Sequence, residues 1–204
     1  MEDNTKKMLA GEPYRPDTEE LSGFSSLAHR LCRDYNMLSD TDRDERNAII
    51  DRLFSDHEKG VYIQGPLQAD YGRFTHLGEN FYSNFNLTIL DTCPVTFGKN
   101  VMVGPNCTFA TPIHPLLPEQ RNARIQEDGK LADYEYGAPI TVGDNCWFAS
   151  NVTVCAGVKI GNGCVIAAGA VVTRDIPDNS LAMGVPARVV REITEKDRLD
   201  NYPY

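Results

Sequence analysis

The stretch Ile140–Val172, ITVGDNCWFASNVTVCAGVKIGNGCVIAAGAVV, carries its apolar residues at a step of six. One column holds Val142, Phe148, Val154, Ile160, Ile166 and Val172; another, two residues earlier, holds Ile140, Cys146, Val152, Val158, Cys164 and Ala170. An amphipathic helix needs apolar residues at i, i+3, i+4 and i+7, and a half-buried strand alternates over one short run, so neither template fits. The chain as a whole is 41% hydrophobic. At that frequency two unbroken columns arise by chance with a probability of about 10⁻⁵. Gly143 and Asn145, then Gly161 and Gly163, mark fixed offsets between the columns. The period predicts a parallel β-helix, in which short strands alternate with tight corners, three hexads close a triangular coil, and each coil buries its inward column against the next. Hairpins of an ordinary sandwich are the competing reading, but their turns would break the phase, and this phase does not break.

Upstream, Leu77, Ser83 and Ile89 share one phase; Asp91–Pro94 (DTCP) shifts it by two, and Phe97, Val103 and Phe109 continue it. The shift predicts a bulge in the wall, and a broken local rule inside a regular repeat points to a site. Gly78-Glu79-Asn80, Gly98-Lys99-Asn100 and Gly143-Asp144-Asn145 read as one turn written three times, with residues suited to a positive-φ corner. From Phe109 to Val142 the period vanishes for about thirty residues, and an insertion of that length in a compact repeat predicts a functional arm. Residues 1–56 read as helical: Thr5–Ala10 stopped by Gly11, a helix from Glu19 with Leu21, Phe24, Leu27, Ala28, Leu31 and Tyr35 on one face, and another from about Asp42 capped by Asp40 or Thr41. The expected organisation is a helical segment 1–56 covering one open end, a β-helix 57–186 with loop 111–139, and a C-terminal helix and tail 187–204.

A net charge of −9 argues against nucleic acid as a partner, because that binding runs on clustered Lys and Arg. A small anionic cofactor needs only a local basic cluster. The opening MEDNTKKM has no apolar run behind it, and CVIAAGAVV is too short to span a bilayer, so neither a leader nor a membrane segment is expected. Six cysteines without paired metal-ligand spacing read as buried thiols in a reducing cytosol, with no metal required. His114, between Pro112 and Pro115 at the root of the loop, is the side chain best suited to take and return a proton near neutrality. No Gly-x-Ser-x-Gly elbow is present. Cys93, followed by Pro94 in the bulge, lacks a paired base.

At the hexads, at KKMLAGEPY (6–14) with Asp17, at TPIHPL (111–116) and at GVPARVVREI (184–193) the chain resembles the maltose/galactoside O-acetyltransferase family of hexapeptide-repeat transferases, with motifs nearest the maltose type. The resemblance implies a left-handed β-helix, acetyl-CoA as co-substrate, a sugar hydroxyl as acceptor, and a homotrimer with sites between subunits. It further implies that His114 is the general base, that Asn84 contacts the acceptor side, and that Glu135 orients or charge-balances His114. Asp17, Asp70, Tyr82 and Asp91 match acceptor-lining positions. Trp147 matches a residue packing on the pantetheine arm, the Ser150 N–H an oxyanion donor, and Ala168 a backbone contact to the same arm. Thr173 and Arg174 match a Thr-Lys pair beside the nucleotide, and Arg188 and Arg191 the basic residues that meet its phosphates. Thr92 and Asp70 depart from the galactoside type, which has Asp and Ser there. The readings left open are a non-sugar acceptor such as serine or an amine, a carbonic-anhydrase-like lyase needing three His ligands, and a non-catalytic trimer.

Overall fold

The computed structural model describes the chain through residue 201. The six-residue period folds into three walls of short parallel strands, visited in turn by each coil. The first wall stacks Asp56–His57, Thr75–Leu77, Val95–Phe97, Ile140–Val142 and Lys159–Ile160. Tyr62–Ile63, Tyr82–Ser83, Met102–Val103, Trp147–Phe148, Val165–Ile166 and Ser180–Met183 form the second. The third holds Leu67–Ala69, Leu87–Leu90, Thr108–Ala110, Thr153–Val154 and Val171–Val172. All twelve residues of the two apolar columns are 3% exposed or less. Inside, Phe81, Phe97, Phe109 and Phe148 form an aromatic ladder with successive centroid distances of 4.9, 4.7 and 5.2 Å. Tilted and edge-on contacts of this kind add to the burial that holds coil on coil.

The repeated turn divides its labour. Asn80, Asn100 and Asn145 hold φ of 59°, 54° and 58°, and their side chains ladder from coil to coil at 3.0 Å. The glycine two residues earlier serves close approach, since a Cβ on Gly78 would stand 2.3 Å from Gly98 O. Coil length is not constant. Leu77 pairs with Phe97 twenty residues on, whereas Val142 pairs with Ile160 eighteen on. The extra residues lie between the third and first walls, at 70–74 and 91–94, and the arm leaves the next coil at that same corner. Three successive coils are therefore irregular along one edge, of which the sequence pattern exposed only the second and the third.

Both open ends are closed. Three helices, α1 (Asp3–Ala10), α2 (Glu19–Asn36) and α3 (Arg43–Leu53), form the pad. Gly11 stops α1 in the left-handed conformation, and Thr18 caps α2 by accepting from Leu21 N–H. The N-cap position of α3 is Asp42, not Asp40 or Thr41; the Asp40 carboxylate is drawn instead to Arg46 and Gln64. Asn36 gives and takes hydrogen bonds with Leu67 at 2.9 and 2.8 Å, and Tyr35 and Arg46 donate to Ile63 O. These bonds satisfy first-coil backbone groups that would otherwise invite another strand. At the far end the expected C-terminal helix is corrected: Arg188–Glu192 is a strand antiparallel to Ser180–Met183, followed among the described residues by the 3-10 turns Glu195–Asp197 and Leu199–Asn201. An unpaired last coil supplies backbone partners that a free helix would leave unmet. Residues 202–204 of that expected tail lie outside the described residues. No described helix is long and apolar enough to cross a membrane.

Candidate active site

The base of the arm is a two-stranded ribbon in which Pro112–Ile113 runs antiparallel to Tyr136–Gly137. That register sets the next residues, His114 and Glu135, opposite each other. His114 Nε2 lies 4.0 Å from Glu135 Oε1, with the imidazole 49% and the carboxylate 19% exposed. Asp133 joins them, and one ligand atom from each of the three lies within 4.8 Å of the others. Beyond the ribbon a helical turn, Pro118–Arg121, and a small hairpin, Arg124–Ile125 with Leu131–Ala132, give the arm its shape.

Gly137 forms the floor of this arrangement. A Cβ there would stand 2.7 Å from Cys93 Sγ, which is buried and bonded to Met8 O, and 2.8 Å from the backbone oxygen of Thr111. Gly137→Ala is expected to cost about 1–3 kcal/mol of stability and to lower turnover by displacing the ribbon, as read from urea melts beside initial rates. Cys93 is fully buried and donates its thiol to Met8 O at 3.1 Å. Burial raises its pKa, which opposes a nucleophilic thiolate.

The acidic residues of this edge have different fates. Asp91 is fully buried, and its two oxygens accept from Tyr71 N–H, Gly72 N–H, Phe74 N–H and the Thr75 hydroxyl at 2.9–3.1 Å. The expectation that it lines the acceptor site is corrected: its carboxylate braces the 70–74 bulge of the preceding coil. Asp17 is taken up by Arg15 at 2.7 and 2.9 Å, and Arg15 also pairs with Asp128 in the arm at 2.6 Å. Asp70 remains partly open. Its carboxyl is pushed up to about 6 by burial first and then by the charges of Asp91 and Glu135. The fold therefore favours the protonated form, so this group's contribution to stability is present below pH 4 and is lost as pH rises through 6. Asp70→Asn lacks that loss, and its melting temperature is expected to exceed the wild-type value above pH 6 by the equivalent of about 1–2 kcal/mol, with the gap closing toward pH 4.

A second group lies one wall away. On the outer face of the second wall Tyr62, Tyr82, Met102, Trp147, Val165 and Leu181 stand in one register column. Tyr62 and Tyr82 stack at 5.8 Å, and Trp147 is 49% exposed. Asn84 follows at the corner, where it donates to the Tyr82 hydroxyl at 3.4 Å and accepts from Phe85 N–H at 2.8 Å. Two and three coils on, Ser150 and the exposed Ala168 occupy the same corner. Among the described residues the Ser150 N–H has no acceptor within the chain. Arg188 and Arg191, three apart, would point to opposite faces of a regular strand. The register shift sets Arg188 against Met183, Val189 against Ala182 and Arg191 against Leu181, so the extra residue Val190 puts both arginines on the outer face. Arg191 there holds Asp197 at 2.6 and 2.8 Å. Thr173 and Arg174 are exposed at the other corner, on the edge from which the arm leaves.

Sequence comparison decides the family. The galactoside O-acetyltransferase of Escherichia coli (strain K12) is 37% identical over 194 residues, covering 95% of this chain and 91% of that protein. The chain belongs to the maltose/galactoside O-acetyltransferase family. It is thus an acyltransferase. The maltose acetyltransferase hexapeptide capping motif matches residues 7–57, and the bacterial transferase hexapeptide, six repeats, matches residues 139–174. Among solved structures, a galactoside acetyltransferase in complex with coenzyme A superposes with a TM-score of 0.87 at 36% identity, over 97% of this chain and 94% of that one. A maltose O-acetyltransferase from Clostridium difficile 630 gives 0.86 at 35%, over 94% and 98%.

Sequence reasoning placed His114 and Glu135 in one site but missed Tyr14, Arg15, Asp128 and Asp133. The available signal was Tyr14 itself, an aromatic residue inside the polar, proline-flanked EPYRP (12–16), where only an anchor would make a ring worth burying.

Proposed function

We propose that this O-acetyltransferase moves the acetyl group of acetyl-CoA to a hydroxyl of a sugar of the maltose, glucose or galactoside type, with His114 as general base. The observation that carries this reading is the His114–Glu135 pair at the root of a shaped arm. A neutral imidazole has one N–H and one lone pair. A carboxylate facing one nitrogen favours the N–H there and leaves the lone pair on the other. That nitrogen takes the acceptor's hydroxyl proton as the oxygen attacks the thioester carbonyl carbon. The carbonyl electron pair moves onto oxygen, where the unpaired Ser150 N–H stabilises it. Collapse re-forms the carbonyl and breaks the C–S bond, and the imidazolium returns its proton to the leaving thiolate, giving the ester and free coenzyme A.

The second-wall column supports a course for coenzyme A. From Trp147 through Val165 and Leu181 to Arg191 is three strand spacings, or about 14 Å, with Arg188 on the same face for the phosphates. The side chain of Trp147 is the chain's single tryptophan, so coenzyme A is expected to change its fluorescence, and Trp147→Ala to raise KM for acetyl-CoA about ten-fold with little effect on the acceptor's.

The two groups also support a homotrimer. His114, Glu135, Asp70, Thr173 and Arg174 occupy one edge, whereas Tyr82, Asn84, Trp147, Ser150, Ala168, Arg188 and Arg191 occupy the second wall and its corner. One third-wall width, about 15–20 Å, separates them. A head-to-tail contact bringing one chain's corner to the next chain's arm unites them, and such contacts close into rings. The exposed apolar column at Met102 and Trp147 suits burial in that contact. Six free cysteines suit a reducing cytoplasm. The test is free-thiol release from acetyl-CoA against glucose, maltose, galactosides, serine and amines, beside sedimentation equilibrium. Release that requires a sugar supports the reading; release only with serine or an amine overturns it.

A further inference from the structure

Tyr14 lies in the polar connection between α1 and α2, yet it is 1% exposed. It meets Glu135 in three ways. Tyr14 N–H donates to Glu135 O at 2.9 Å, Glu135 N–H donates to Tyr14 O at 3.1 Å, and the Tyr14 hydroxyl donates to Glu135 Oε2 at 2.8 Å. The remaining oxygen, Oε1, is the one facing His114. The two oxygens of a carboxylate turn together about one bond, so fixing Oε2 aims Oε1. We propose that Tyr14 is a positioning residue for the acetyl transfer: its hydroxyl fixes the Glu135 carboxylate so that Oε1 faces His114 and selects the imidazole tautomer that accepts the acceptor's proton. This rests on the reading of His114 as base.

The rest of the connection is built to hold that geometry. A Cβ on Gly11, whose φ is +76°, would stand 2.6 Å from Gly137 O, so only glycine lets α1 end against the ribbon. The Cys93 thiol ties Met8 to the wall, and Arg15 clasps Asp128 of the arm. Burial and the neighbouring Glu135 charge push the Tyr14 phenol far above its ordinary range, which keeps the hydroxyl a donor at every working pH. The N-terminal segment thereby forms the rear support of the base as well as a cover for the coils.

Tyr14→Phe keeps the ring and removes the hydroxyl. The expected result is a roughly ten-fold fall in kcat, an unchanged KM for acetyl-CoA and a displaced acidic limb of the kcat–pH profile, with circular dichroism as in the wild type. In a Glu135→Gln background the same change is expected to cost nothing further, because its effect passes through that carboxylate. Wild-type kcat in Tyr14→Phe, or an equal loss in both backgrounds, overturns the proposal. Fluorotyrosine at position 14, which keeps the shape and alters the acidity of the hydroxyl, is a second readout: kcat that follows ring acidity supports the role, and flat kcat overturns it. His114→Ala separates the two claims. Retained turnover there removes the base itself, whereas a dead His114→Ala with additive Tyr14 and Glu135 effects removes only the role of Tyr14.

Discussion

His114→Ala is expected to lower kcat by about 10²–10⁴-fold, the range a positioned general base contributes, while coenzyme A binding stays near wild type. The two effects separate because the imidazole sits at the arm ribbon against Glu135, whereas the residues matched to the cofactor lie mainly on the second wall. Half-exposed and held by a glycine-floored ribbon, His114 is not part of the packed interior. Its removal is therefore expected to leave the melting temperature within about 2 °C. Thiol release at saturating acetyl-CoA and sugar, beside coenzyme A titration by calorimetry, reads both quantities. Turnover at the wild-type rate would eliminate His114 as the base, and lost coenzyme A affinity would instead assign it to cofactor binding.

The second large effect is on stability. Asp91→Ala removes the acceptor for three backbone N–H groups and one hydroxyl around the 70–74 bulge. Buried donors left without partners cost about 1–3 kcal/mol each, and after local relaxation a net loss of about 3–5 kcal/mol is expected. Against a typical stability of about 5–15 kcal/mol, this places the variant near the edge of folding. Asp91→Asn retains one acceptor oxygen and is expected to be milder. Urea midpoints of the two variants, with the acceptor KM of the Asn form, decide between brace and ligand. A raised acceptor KM with an unchanged midpoint would restore Asp91 to the acceptor site.

Asp91 also illustrates how far the sequence could be read. The two-residue phase shift at 91–94 located an irregular edge correctly, because a slip in a strict six-residue pattern is visible along the chain. Whether the carboxylate there faced a ligand or the previous coil depended on Tyr71, Gly72 and Phe74, about twenty residues away, and no local pattern encodes that pairing. The arginines of the last strand are a parallel case. Spacing alone sets Arg188 and Arg191 on opposite faces of a strand, and the extra residue at Val190 reverses this. The C-terminal helix expectation failed for a related reason: VVRE is compatible with helix or strand, and the unpaired edge of the last coil chose the strand.

By itself the sequence determined the β-helix, its corners and the insertion point of the arm, because burial in a solenoid repeats at a fixed local step and each coil repeats the demand. Only the tertiary structure decided which acidic residues brace the wall, which face the arginines share, and how Glu135 is set against His114. The Tyr14–Glu135 bond joins residues 121 apart, and the two halves of the candidate site stand a wall's width from each other. Such contacts arise from the closing of one segment on another, and the free energy that selects them is spent between distant side chains and leaves no period in the chain.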